Sequence, residues 1–178
     1  MNEATQKIEE WAREAASHRT VPWDHLPEIY LYMDQVLTYL NRQISLYEGT
    51  ANPLTSSMIN NYVKDGLLER PQQKKYSREH LAILMIICML KPVLSIQDIS
   101  SLLNTSLEKG GKNELYEKFC HVQEEAFADV CRRVLDATPN GETELLRLAV
   151  DLSVEANARR SAAECILRAL GQTPQKKS

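Results

Sequence analysis

The decapeptide LAILMIICML, Leu81 to Leu90, has no polar position anywhere around a helical turn. A helix with an apolar stripe can lie on a surface, but one that is apolar all round must be enclosed by other elements. The run is far too short to span a bilayer, which takes about 20 residues. The chain must therefore build a cage around this segment. Its 178 residues suit one domain, or one small domain plus a helical extension, with a core that needs no disulfides. Apolar content of 43% with 25% charge is that of ordinary globular proteins. No basic-then-apolar leader opens the sequence, so a cytosolic protein with no secretory signal and no membrane partner is expected.

The cage is helical by period. Ile8, Trp11, Ala12 and Ala15 mark the apolar face of a short first helix, which TVPW breaks. From Pro27 to about Glu48, Ile29, Met33, Val36, Leu37, Leu40, Ile44 and Tyr47 share one face of a long helix ended by GTANP, with Pro27 in its first turn. Thr55 or Ser56 then caps a helix over 56–65 with Ile59, Tyr62 and Val63 inward, and Gly66 supplies a left-handed stop. Residues 67–76 are too short for another helix and read as a tight hairpin or wing. Ser77 caps the helix of the apolar run, KPVL closes it, and SIQD has capping-box spacing for a short helix through Leu103.

Two longer helices, roughly 112–137 and 142–170, flank TPNG and form an antiparallel hairpin by loop length. Leu115, Phe119, Val122, Ala126, Val130 and Val134 line the first; Leu145, Leu148, Leu152, Ala156, Ala163, Ile166 and Leu170 line the second. Such stripes either close a monomer's own core or supply a dimer seam. The fold class is all-α with at most a tiny two-stranded wing. Its parts are an N-terminal helix (1–25), a central domain (26–104), a helical hairpin (110–170) and a disordered tail (171–178).

Charge is uneven. Residues 54–91 carry six cations against three carboxylates, whereas the segments on either side are acidic and the whole chain stands at −3. A local basic excess suits an anionic partner at one face. Within it, Ser57, Asn60, Asn61 and Lys64 recur at i, i+3, i+4, i+7, opposite the inward stripe. Asn is a modest helix former, so two of them in mid-helix cost a few tenths of a kcal/mol each. A reader of base edges has a use for them, because an Asn amide pairs bidentately with adenine in the major groove. Arg70, Lys74, Lys75 and Arg78 follow, spaced to hold phosphates on either side.

The order of these parts resembles the mercury-resistance-regulator (MerR) family of bacterial transcription regulators. MINNYVKDGLLERP (Met58 to Pro71) takes the place of its recognition helix, YSREHL (Tyr76 to Leu81) of the end of its basic wing, and LSIQDISSLL (Leu94 to Leu103) of its following short helix. In that resemblance Asn60 stands where the family has a DNA-contacting Arg, and Asn61 where it has a Tyr. Arg70, Lys74 and Lys75 fall in the wing, which lacks the usual Asn-Gly turn. More closely, LPEIYLYMDQV, MINNYVKDGLL and KKYSREHL resemble a bacterial family of uncharacterised proteins, domain of unknown function 1836, over roughly Leu26 to Leu103. The resemblance implies a winged helix-turn-helix core that binds double-stranded DNA as a homodimer, with extra helices at both ends. The rival expectation is a helical protein-interaction module that keeps the winged fold without DNA binding. It requires the face of Asn60 and Lys74 to be occluded, or masked by Glu69 and Glu79.

Other chemistry lacks a pattern. No P-loop, GxGxxG, HExxH or GxSxG occurs, so neither an enzyme nor a cofactor is expected. Cys88, Cys120, Cys131 and Cys165 are widely spaced within apolar helical patterns and read as buried reduced thiols rather than metal ligands. His80, in the first turn of its helix, reads as a solvated or capping residue. An effector pocket between the C-terminal helices is compatible with either reading.

Overall fold

The computed structural model describes residues 3–48 and 53–171, the side chains of 45–48 excepted. These residues form seven α-helices: α1 (Glu3–Ser17), α2 (Met33–Glu48), α3 (Ser56–Lys64), α4 (Arg78–Leu90), α5 (Ile96–Leu107), α6 (Lys112–Ala137) and α7 (Glu142–Gly171). Short 3-10 turns lie at Trp23–His25 and Thr138–Asn140. Among the described residues there is no strand, only two isolated antiparallel bridges, Leu31 with Tyr76 and Gln72 with Lys75. The break at 49–52, the side chain of Tyr47 and the tail beyond Gly171 lie outside the described residues.

Every residue of α4 from Leu81 to Cys88 is buried. Its cage consists of α2 on one side and α6 on another, with α3 and α5 closing the cluster through Ile59, Tyr62, Ile99 and Leu103. Tyr116 of α6 is fully buried and its hydroxyl donates to Val21 O at 2.8 Å, while Thr20 N–H donates to Glu124 Oε1 at 3.0 Å. These two bonds tie the segment before Trp23 to α6. The small residues Ala12 and Ala15 are buried on α1, which packs along α6.

Several expected details change. Residues 27–32 are not helical: Leu31 N–H donates to Tyr76 O at 2.9 Å and Tyr76 N–H donates to Leu31 O at 2.8 Å, so this segment is held extended. The helix begins instead where Gln35 Oε1 accepts from Tyr32 N–H at 2.9 Å, the backward half of a capping box. Ile29, expected inside, is 70% exposed as a result. Trp11 is exposed, because the inward arc of α1 runs through Thr5, Ala12 and Ala15. On α6 the buried arc is Tyr116, Cys120, Cys131 and Val134, turned from the expected stripe, which leaves Val122 and Ala126 outside. The helix after Ser95 runs past Leu103 to Leu107.

On α7 no residue is buried. Leu145, Leu148, Leu152 and Ala163 are half-buried, whereas Ala156, Ile166 and Leu170 are exposed. Cys165 is exposed too, unlike the three other cysteines; burial pushes the Cys120 thiol up to about 11.

The stop after α3 follows expectation closely. Gly66, with φ +74°, donates to Val63 O at 3.2 Å, and Leu67 N–H donates to Tyr62 O at 2.9 Å. That is the paired bonding of a Schellman cap, and it folds Leu67 and Leu68 back into the core. No atom would crowd a Cβ at Gly66, so a substitution there meets backbone strain alone. Gly66→Ala should therefore cost about 1 kcal/mol, lowering the midpoint of urea unfolding with no change in its slope.

Candidate nucleic-acid interface

Thr55 starts α3: its Oγ1 accepts from Met58 N–H at 3.3 Å, fixing the first turn. Ile59 and Tyr62 are buried from this anchored end, and burial, with the nearby Cys88, pushes the Tyr62 phenol up to about 12. The opposite side of the helix carries Ser57, Asn60, Asn61 and Lys64, and all four are exposed. Among the described residues no element covers them.

The chain then reverses at Gln72–Lys75, where Lys75 N–H donates to Gln72 O at 2.9 Å. Gln73 and Lys74 both have left-handed backbones, φ 50° and 62°. This is the geometry of a two-residue type I′ turn, which ordinarily takes Asn-Gly. A side chain with a Cβ is held there at a cost of roughly 1 kcal/mol or more per residue. Lys74 and Arg70 are exposed, and Lys75 lies with its Nζ 5.7 Å from the centre of the Tyr32 ring.

Arg78 differs from the other cations. Its side chain is only 18% exposed; its guanidinium lies 5.8 Å from the Trp23 ring centre, and Nη2 is 2.9 Å from Glu28 Oε1. Arg70, Lys75 and Arg78 line one cleft together with Trp23, Glu28 and Tyr30. Ser57, Asn60, Asn61, Lys64 and Lys74 stand outside it. Sequence reasoning missed Trp23, Glu28 and Tyr30 as site residues, because IYLY fits a helical period as well as an extended one.

Glu69 and Glu79 line the same cleft as Arg70, Lys75 and Arg78, and both are held by a further cation. Lys112 Nζ reaches both carboxylates at 2.8 Å and draws them toward the start of α6. The hydrogen bond from Lys112 holds the Glu69 carboxyl below its ordinary range. Burial works to lower Lys112 itself, but the bonds to Glu69 and Glu79 outweigh it and hold the ammonium above its ordinary value. Among the described residues no group of three or more His, Cys, Asp or Glu could hold a metal ion, and no helix is long and apolar enough to cross a membrane.

His80 closes the start of α4. Its Nδ1 accepts from Ser77 N–H at 3.1 Å, with Ser77 Oγ 2.8 Å from the same nitrogen, so the ring proton resides on Nε2. Burial holds its pKa below the ordinary histidine value, against the opposing pull of Glu69 and Glu79. A lowered folded-state pKa means that protonation favours the unfolded chain. The stabilisation is therefore complete above the unfolded pKa, near 6.5, and is lost as pH falls below it toward the depressed folded value. Thermal melts from pH 7.5 down to pH 5 should show Tm declining in the parent protein. In His80→Gln, whose amide oxygen can still accept from Ser77 N–H, that decline should flatten.

The stretch that holds α2, α3, the turn, α4 and the cleft is also the stretch with recognisable kin. The model of the family described as domain of unknown function (DUF1836) matches residues 21–120, more than half of the chain. No curated protein and no solved structure matches it. The match begins at Val21, which accepts the Tyr116 hydroxyl bond, and ends at Cys120, one turn beyond that tyrosine, so it encloses both ends of the tie between the N-terminal segment and α6. The chain belongs to the DUF1836 family.

Proposed function

We propose that this chain is a DNA-binding transcription regulator with a MerR-like winged helix-turn-helix core. α3 is the recognition helix, entering the major groove with Asn60 and Asn61 against base edges and Ser57 beside them. Lys64, Arg70, Lys74 and Lys75 hold phosphates, and Arg78 backs them from inside the cleft. The observation that carries this reading is the polar face of α3, all four of whose residues are exposed, while Lys112 offsets the charge of the nearby Glu69 and Glu79. The turn adds support, since it sets the exposed Lys74 at its tip.

The reading includes a two-fold homodimer, formed through α7. Leu146, Val150, Val154, Ala158 and Ala162 recur every fourth residue and are all exposed, with Val154 on the side away from the half-buried Leu145, Leu148 and Leu152. Antiparallel pairing of two copies over Val154 sets Leu146 against Ala162 and Val150 against Ala158, bulky against small. Charge fits the same direction. The first half of α7 carries Glu142, Glu144, Asp151 and Glu155 with only Arg147, and the second carries Arg159, Arg160 and Arg168 with only Glu164.

DNA selected from random sequence with the purified protein tests the proposal, and binding no more salt-dependent than that of an albumin control would sink it. At a selected site, Asn60→Ala should relax preference at one base pair, costing on the order of 1 to 3 kcal/mol. Lys74→Gly, which cannot harm the turn, should weaken all sequences alike. In sedimentation equilibrium the parent should weigh twice its chain mass of 20.3 kDa, and Val154→Glu should weigh that single mass with an unchanged melting curve. A dimer that binds no DNA would favour the interaction module instead.

A further inference from the structure

We propose that the cleft at the root of the 72–75 turn is a binding site for a nucleoside phosphate unit, a planar base carrying a phosphate group. The cleft holds about 560 Å³, within the range of small-ligand sites. At its inner end the Nε and Nη2 atoms of Arg78 are buried and make no aligned hydrogen bond. The nearest carboxylate, Glu28, lies on an extended segment with its side chain 84% exposed, 2.9 Å from Nη2 but off the bonding direction. A buried guanidinium is costly unless an anion satisfies it, and the oxygens of a phosphate match its fork.

Charge and shape narrow the ligand. Arg70 and Lys75 enter the same cleft as Arg78, and Lys112 engages Glu69 and Glu79 from behind. With Glu28 displaced, the lining sets Arg70, Lys75 and Arg78 against Glu69 and Glu79, a balance of +1, and Lys112 behind those two carboxylates adds one more positive charge toward a phosphate of charge about −2. Two aromatic residues, Trp23 and Tyr30, also line the cleft. Tyr30 is 60% exposed, and the backbone bonds between the next residue, Leu31, and Tyr76 hold its main chain at the edge of the cleft. Exposed rings next to cations are the means by which proteins stack unpaired bases. The same unit can come from a free mononucleotide or from an unpaired nucleotide of a strand. Neither source depends on α3 entering a groove.

Trp23 makes the site self-reporting. In the Trp11→Phe full-length protein it is the sole tryptophan, and Trp11 is an exposed residue of α1 distant in sequence from the cleft. AMP should quench its fluorescence saturably, and inorganic phosphate or adenosine, each with half of the unit, should bind about tenfold more weakly or worse. Tyr30→Ala alters only an exposed side chain and should weaken AMP about tenfold with its melting curve intact; Arg78→Gln should abolish binding. A short oligo-deoxyadenylate that binds more tightly than AMP identifies a strand as the source, and one that binds no better identifies the free nucleotide. No saturable response to either probe at millimolar concentration overturns the proposal, as does a Tyr30→Ala protein that binds AMP as tightly as its parent. Asn60→Ala, which relaxes duplex preference at one base pair and lies outside the cleft, should leave AMP binding unchanged, so failure of the two proposals can be told apart.

Discussion

The burial of α4 on every side is the constraint from which the architecture follows. A residue such as Leu84 or Ile87 has no solvent-facing direction to offer, so the chain must supply neighbours all round it. Burying a side chain of this size contributes about 1.5–3 kcal/mol, and Leu81 through Cys88 do so consecutively. That is why α2 and α6, far apart in sequence, meet on the same helix, and why α3 and α5 can be short. The candidate surface is positioned by this arrangement: α3 presents Asn60 and Asn61 outward because Ile59 and Tyr62 are buried inward.

Much of this was legible from residue order. Capping and stop signals act through neighbours along the chain, and Thr55, Ser95, Gly66 and the two ends of α6 behave as local chemistry predicts. What failed to show were features decided by distant partners. Pro27 suits a helix start, yet the two backbone bonds between Leu31 and Tyr76 outweigh that preference. Nothing within 27–32 announces a partner lying across α2 and α3. The arc of α6 was misjudged for a related reason. Tyr116 and Cys120 carry polar atoms, and only the packing shows that the phenol finds Val21 O while the thiol is buried.

The candidate surface divides along the same line. Exposure of Ser57, Asn60, Asn61 and Lys64 was readable, since a helix with one apolar face must turn the other outward. The inward turn of Arg78 was not. Its position in a basic cluster marked it as a surface cation, but its guanidinium lies beside Trp23, far away in the chain. Lys112 was similarly invisible: only the approach of the start of α6 to α4 lets one ammonium pair with both Glu69 and Glu79.

The Leu31–Tyr76 pair has a kinetic side. By joining residues 45 positions apart it closes a loop that contains all of α2 and α3. Such closure costs roughly 3 kcal/mol of chain entropy, more than two hydrogen bonds return, so the pair forms only after the helices it encloses have condensed onto α4. The tip of the turn is closed locally, by Lys75 N–H to Gln72 O, so what the Leu31–Tyr76 pair sets is the place of the turn on the core. Its cations take up their final positions only on a core already complete, and a loosening of that core frees them first.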